Sequence, residues 1–194
     1  MTPLAVPELL QTRLDNLPKG LQNHIDRVRK IARDLAAVHG INQDLAELTA
    51  AAHDVARATN PKFLLEEARR MGFQVNTVEI DAPMLLHGSV GAGWLAKEGT
   101  VNESQVLEGI RWHTTCHPDL SPMGQVVFLA DKLDPFKVSK FPFHDRVRDA
   151  ALHDLDGAVL AFLEGSIERH IALGEIVHPV EAETRRAMIA AGVC

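Results

Sequence analysis

The sequence has two cysteines, Cys116 and Cys194, among 194 residues. Two thiols so placed make no disulfide framework, and a reducing, cytoplasmic setting is the default. No run of about 18 apolar residues occurs, which argues against a membrane span. Residues 1–14 lack a basic start followed by an apolar block, so no signal peptide is read there. Positive charge is in deficit: 20 Lys and Arg stand against 26 Asp and Glu, a formal net charge of -6. Such a chain does not attract a nucleic-acid polymer through its overall field, and a small anionic substrate needs a local cluster of cations. Strand alternation is missing as well. Residues 74–80 are the one candidate, with a loop reading equal to it. There is no internal repeat, low-complexity tract or obvious linker.

What is present is helical periodicity and ample apolar content, 46% hydrophobic against 24% charged, enough for a sizeable core. In residues 20–40, Leu21, Ile25, Val28, Ala32 and Leu35 recur at three- and four-residue steps. Gly40 suits the stop and Asn42 the cap of a second helix carrying Leu45, Leu48, Ala52 and Val55. Asn60-Pro61 breaks that helix and opens a third, through Met71. Further helices are read over 87–97, 102–113 and 123–133, then one long helix over about 145–173, and a last one from Pro179. The fold class is all-α in a single domain spanning 1–194. Its catalytic core covers about 18–140, and C-terminal helices over about 145–194 pack against it.

The chemistry centres on a His-Asp doublet, and the chain has three: His53-Asp54, His144-Asp145 and His153-Asp154. Context separates them. His53-Asp54 follows Leu48-Thr49-Ala50-Ala51-Ala52, a small, apolar stretch suited to burial, where a charge is costly unless paired or metal-bound. The other two lie among Arg146, Arg148, Asp149 and Asp156 and read as solvated helix faces. His24 sits at the apolar face of the first long helix, with Arg27 one turn on. Asp131 ends the apolar run Phe128-Leu129-Ala130. Taken singly, each is an ordinary core histidine or helix-end aspartate. Together, four ligand-type side chains at apolar positions of three helices make a metal centre the economical reading. His87 and His113 also stand where apolar segments meet small or polar ones, and they could complete a second site with Asp54 bridging. Two ions about 3.5–4 Å apart can clamp both oxygens of a phosphoryl transfer, and mixed imidazole and carboxylate ligands suit iron, manganese or zinc. A rival zinc set of His113, Cys116 and His117 lacks the fourth ligand that a structural site needs.

In this order, His24, His53-Asp54 and Asp131 resemble the HD superfamily of metal-dependent phosphohydrolases, an all-helical bundle. Several segments resemble one branch, the bacterial YqeK-like proteins, which hydrolyse diadenosine tetraphosphate symmetrically to ADP. These are His24-Ile25-Asp26-Arg27-Val28, Ala52-His53-Asp54-Val55-Ala56-Arg57, Leu86-His87-Gly88, Ile110-Arg111-Trp112-His113-Thr114-Thr115 and Leu129-Ala130-Asp131-Lys132. The likeness runs through roughly residues 20–185. It implies that His24, His53, Asp54 and Asp131 hold one metal and that Asp54, His87 and His113 hold a second, with iron favoured. It also implies that Arg27 and Arg57 lie near substrate phosphates. The chain departs from the branch where Cys116 and Phe136 stand in place of glycine, Asp134 in place of glutamate, Lys137 in place of arginine, and Arg57 where lysine is more usual.

The reading is then metal-assisted hydrolysis of a nucleotide phosphoanhydride, with one or two divalent or mixed-valence ions. Asp54 and Arg27 are catalytic, and Arg27, Arg57, Lys132 and Lys137 offset phosphoryl charge. A different HD nucleotidase or phosphodiesterase, and a non-catalytic nucleotide-binding module, stay open. So does the oligomeric state, a homodimer included. The choice among the doublets makes a prediction. Asp54→Ala should strip the metal and lower turnover by about 100-fold or more, since even groups behind the ligands cost about 10–100-fold. His153→Ala should leave both near wild type, as read by elemental analysis and product formation.

Overall fold

The computed structural model describes residues 6–193. Residues 1–5 and Cys194 lie outside it, and with them part of the signal-peptide reading and the second thiol. Eleven α-helices occur among the described residues: α1 (Glu8–Asp15), α2 (Lys19–Val38), α3 (Gln43–Ala52), α4 (Pro61–Arg70), α5 (Thr77–Asp81), α6 (His87–Lys97), α7 (Ser104–Trp112), α8 (Pro122–Lys132), α9 (His144–Ala151), α10 (Leu155–Ala172) and α11 (Pro179–Ala190). Short 3-10 turns, Pro83–Leu86 and Pro135–Lys137, interrupt the chain. No strand is present among these residues, and none of the helices is long and apolar enough to cross a membrane.

The boundaries follow from local chemistry. The Asn42 side chain accepts from the amides of Asp44 and Leu45, and Asn60 accepts from that of Lys62 ahead of Pro61. Ser121 accepts from Gly124 ahead of Pro122. Each satisfies amides that a helix start leaves unpaired. Gly40, at φ 66°, ends α2 in the left-handed region open to glycine.

One open reading closes and one expectation is corrected. Residues 74–80 hold no strand, because Asn76 and Glu79 close a reciprocal capping box that starts α5. The single helix expected over 145–173 is two helices, α9 and α10. Asp154 turns extended, at φ -149° and ψ 108°, directly before α10. The Asp154 side chain makes no capping bond, but His39 donates to the Ala151 carbonyl left free at the end of α9.

The core forms in three sections, the first two of which share α2 and α3. One joins Val28, Ala32 and Leu35 to Phe128, Leu129, Phe162 and Leu163. Another joins Leu10, Ile25, Leu48, Leu95 and Ile110. A third packs Leu64 and Ala68 against Leu86 and Val90. The α8 helix is buried almost all round, so its polar end residues Asp131 and Lys132 are carried inside. Small side chains let the helices close up. A Cβ on Gly109 would meet the Thr49 methyl at 2.8 Å, and one on Gly91 would meet Val55 at 2.9 Å.

The same packing pins α4 to α6 through Glu67. Its carboxylate accepts from Arg70 at 2.8 and 2.5 Å and from the Trp94 indole at 3.0 Å. The Arg70 bonds, then the indole, bring its pKa down from 4.5 to about 2. A depressed carboxylate stabilises the fold above its unfolded pKa and loses that contribution as pH falls through the folded value. Glu67→Gln should therefore cost about 1 kcal/mol at pH 7. Denaturant titrations should show that difference shrinking as the pH drops from 4.5 to about 2.

Candidate metal centre

Five elements deliver the six candidate ligands. His24 comes from the first half of α2. His53 caps the C-terminus of α3, with Asp54 next to it. His87 opens α6, His113 caps the end of α7, and Asp131 lies in the last turn of α8. All but His24 are buried, and its side chain is 13% exposed.

The helix ends also fix the rings. His53 Nδ1 donates to the Ala50 carbonyl at 2.6 Å, His87 Nδ1 to Met84 at 2.5 Å and His113 Nδ1 to Ile110 at 2.7 Å. His24 Nδ1 donates to Asp134. A carbonyl can only accept, so in the neutral ring the Nδ1 proton is settled and Nε2 is left with a lone pair pointing inward. Three of the four acceptors are carbonyls near helix ends, where intrahelical partners run out. Ligand histidines in metal sites are oriented in this way.

The inward nitrogens meet around Asp54. Its Oδ1 lies 2.9 Å from His87 Nε2 and 3.6 Å from His113 Nε2. Its Oδ2 lies 3.4 Å from His53 Nε2 and 3.6 Å from His24 Nε2. Asp131 Oδ1 approaches the same two rings, at 3.1 Å from His24 and 3.7 Å from His53. His24, His53 and Asp131 form one group whose ligand atoms could share an ion, and His53, Asp54 and His113 form another. His87 joins through Nε2, 3.0 Å from that of His113. Two lone pairs facing at that distance repel unless a cation or a proton lies between them. His53 Nε2 is buried and has no hydrogen-bond partner. Such an orphan costs about 1–3 kcal/mol, and a metal removes the cost. The residues present therefore fit a metal centre.

Charge is strongly coupled here. Burial works against ionisation of Asp54 and Asp131. Nonetheless His53 holds Asp54 well below the carboxylate range, and Lys132 and Lys137 do the same for Asp131. Burial would depress His53, but Asp54 and Asp131 outweigh it and push it to about 10, whereas burial takes His113 down to about 3.

A cleft of about 280 Å³ opens on this centre, lined by Asp54, Arg57, Ala82, Met84, Leu85, His87, His113, Thr114, Asp131, Lys132, Lys137 and Lys140. Arg57, Lys132 and Lys137 thus come together where the sequence suggested. Arg27 does not line the cleft. Its guanidinium grips Asp134 at 2.8 and 2.9 Å, and Asp134 in turn accepts from His24. Asp134 and Lys140 were not picked out as site residues from the sequence. Asp134 lies beyond the end of α8, so helical spacing does not tie it to Asp131, and only the fold brings it to His24. Phe136 does not fill the cleft either. It is 77% exposed and stacks on Arg27, 4.2 Å from guanidinium carbon to ring centre.

Cys116 has φ 64°, the conformation in which a glycine is the easy choice. Its thiol is buried and burial pushes it up to about 12, which suits an inert side chain. Neither Cys116 nor His117 belongs to the metal-capable groups, and the His117 ring stacks on Trp112. The two other doublets stay outside those groups too. His153, Asp154 and Asp145 are exposed, as read, but His144 is buried with both ring nitrogens unpartnered.

The chain was compared with known proteins. The family model described as HD domain matches residues 21–135. A protein of Halalkalibacterium halodurans named symmetrical bis(5'-nucleosyl)-tetraphosphatase is 31% identical over 88% of this chain and 89% of its own length. The Bacillus subtilis protein of the same name is 28% identical over 74% of this chain and 76% of its own. The crystal structure of a Clostridium acetobutylicum protein named a predicted HD superfamily hydrolase involved in NAD metabolism superposes with a TM-score of 0.88 at 25% identity. The match covers 97% of this chain and 99% of that one.

The spacing of His87 from His113 depends on Gly88. A Cβ there would come within 2.7 and 2.8 Å of the Ile110 and Arg111 carbonyls and 3.1 Å of the His113 ring. Backbone cannot yield as a side chain can, so α6 and α7 would be forced apart. Gly88→Ala should cost about 1–3 kcal/mol in denaturant titrations. It should also lower the metal content of the purified protein.

Proposed function

The chain belongs to the HD-domain family of metal-dependent phosphohydrolases, and from this we propose that it cleaves diadenosine tetraphosphate symmetrically into two molecules of ADP. The observation that carries the reading is the Asp54 carboxylate, with one oxygen turned to His87 and His113 and the other to His24 and His53. A carboxylate so shared is suited to bridging two cations. On this reading His24, His53, Asp54 and Asp131 hold one ion, and Asp54, His87 and His113 a second. The donor set suits a divalent or mixed-valence transition metal. Iron follows from the family resemblance, and manganese or zinc are chemically acceptable. When bound, such ions lower the pKa of water from about 15.7 toward about 7 and polarise a phosphoryl oxygen.

The chain's own residues do the rest. Arg57 faces the phosphate chain across the cleft and offsets charge that builds on its oxygens, while Lys132 and Lys137, paired with Asp131, add to the positive field there. Arg27 holds Asp134, which holds the His24 ring, so its part is to position a ligand. In the overall reaction water adds across the central phosphoanhydride. Its oxygen joins one phosphorus, the bridging oxygen leaves with the second ADP, and a proton is released. The substrate is a small nucleotide and not a nucleic-acid polymer, which accords with a chain of net charge -6 whose cations gather at one cleft. The catalytic core corresponds to about residues 18–140, the remaining helices are a packed extension, and the cytoplasm is the assigned compartment.

The test is elemental analysis of the purified protein, together with a nucleotide panel assayed by product. ADP alone from diadenosine tetraphosphate is the expected result. AMP with ATP, or activity confined to monophosphates, would instead indicate another HD phosphohydrolase. Metal-loaded protein that binds nucleotides without turnover would indicate a binding module.

A further inference from the structure

The cations lining the cleft are not equivalent. Lys132 Nζ lies 3.0 Å from Asp131 Oδ2, and Lys137 pairs with Asp131 Oδ1. Lys132 also donates to the His113 carbonyl at 3.0 Å. Both are largely committed to balancing a buried carboxylate. Arg57 and Lys140 line the same cleft, but neither side chain has a carboxylate or hydrogen-bond partner among the described residues; the one contact of the Lys140 ammonium recorded there is with the Phe141 ring face, 5.3 Å from its centre. Lys140 is the less expected of the two. It is exposed overall, yet desolvation of its ammonium, then repulsion from Lys132, Lys137 and Arg169, lowers its pKa. Its backbone is anchored. Lys137 O accepts from the Lys140 amide at 2.9 Å and from the Phe141 amide at 3.0 Å, and the buried Phe141 ring packs on Phe162. Unpaired cations crowded at the mouth of one cleft are relieved by an anion, and in a chain of net charge -6 they provide an attraction that the overall charge withholds.

We propose that Lys140, together with Arg57, forms an outer phosphate subsite at the mouth of this cleft. It binds the part of a polyphosphate chain beyond the phosphoryl group at the metal centre, and so selects for substrates with several linked phosphates. The inference rests on the polyphosphate reading above and adds a specificity-determining residue to it. Orthophosphate is too short to occupy the centre and the outer subsite together, whereas inorganic tripolyphosphate can span them.

Calorimetric titration of the purified holoprotein with inorganic tripolyphosphate and with orthophosphate tests this without turnover. Lys140→Gln should weaken tripolyphosphate binding about tenfold, as expected for one lost hydrogen bond to a charged group. Orthophosphate binding should stay unchanged and Lys140→Arg should restore tripolyphosphate binding. Lys62→Gln, a change at an exposed lysine outside the cleft, controls for net charge. In kinetics, Lys140→Gln should raise KM for diadenosine tetraphosphate with little change in kcat. The inference is overturned if tripolyphosphate binding is unaffected, or if Lys62→Gln or orthophosphate shows the same loss. A protein that turns over no nucleotide but still binds tripolyphosphate through Lys140 would sink the proposed reaction and leave the subsite standing. Normal turnover with a KM indifferent to Lys140 would do the reverse.

Discussion

Everything in this fold is arranged around two carboxylates, Asp54 and Asp131, held inside an apolar bundle. Burying a charge is expensive, so the surrounding structure must supply compensation from several directions at once. Four imidazoles do so from α2, α6 and the ends of α3 and α7, and two lysines from α8 and the turn after it. That requirement explains the alanine run before His53 and the glycines at 88, 91 and 109. Helices carrying large side chains at those contacts could not approach closely enough for the polar ends to meet. The orientation of the rings is solved by the same helix ends that position them, since carbonyls near each terminus accept the Nδ1 protons. The buried charges and the helix boundaries are therefore one design problem.

Much of this could be read from the sequence because burial and polarity conflict visibly there. His53, Asp54 and Asp131 each follow an apolar run, and a polar group in such a place needs a reason. The caps at Asn42 and Asn60 were equally legible, since their chemistry is local. Less legible was whatever depended on long-range contact. Periodicity alone ran α9 and α10 together, because Asp154 makes no side-chain capping bond and the extended turn there is decided by tertiary packing. His144 shows the same limit from the other side. Its neighbours Asp145, Arg148 and Asp149 are exposed, and nothing local announces that this one ring turns inward.

Arg27 illustrates how a resemblance can point to a residue without fixing what it does. Arg27 suggested a phosphate contact. In the structure its guanidinium grips Asp134 on two nitrogens, and Asp134 bonds to His24. An arginine held by a carboxylate on two nitrogens has less to offer a substrate than the unpaired Arg57 on the cleft wall. Pairing therefore separates structural cations from those available to an anion, and the sequence cannot reveal pairing across more than 100 positions of the chain.

The departures from the YqeK-like pattern sort out on the same physical grounds. Cys116 occupies a left-handed backbone position where glycine is unstrained, so the chain accepts about 1–2 kcal/mol of backbone cost there. Burial of the thiol against the core offsets part of it. Phe136 replaces a second glycine, but its ring leans outward onto Arg27 and leaves the cleft volume to Lys137 and Lys140. Neither change disturbs the ring of imidazoles around Asp54. What they alter is the rim: an aromatic face over Arg27 on one side, and a lysine pair from the segment after α8 on the other. Differences among such proteins in what they accept should thus arise at the rim, where side chains are free to vary, because at the centre each group is needed to neutralise another.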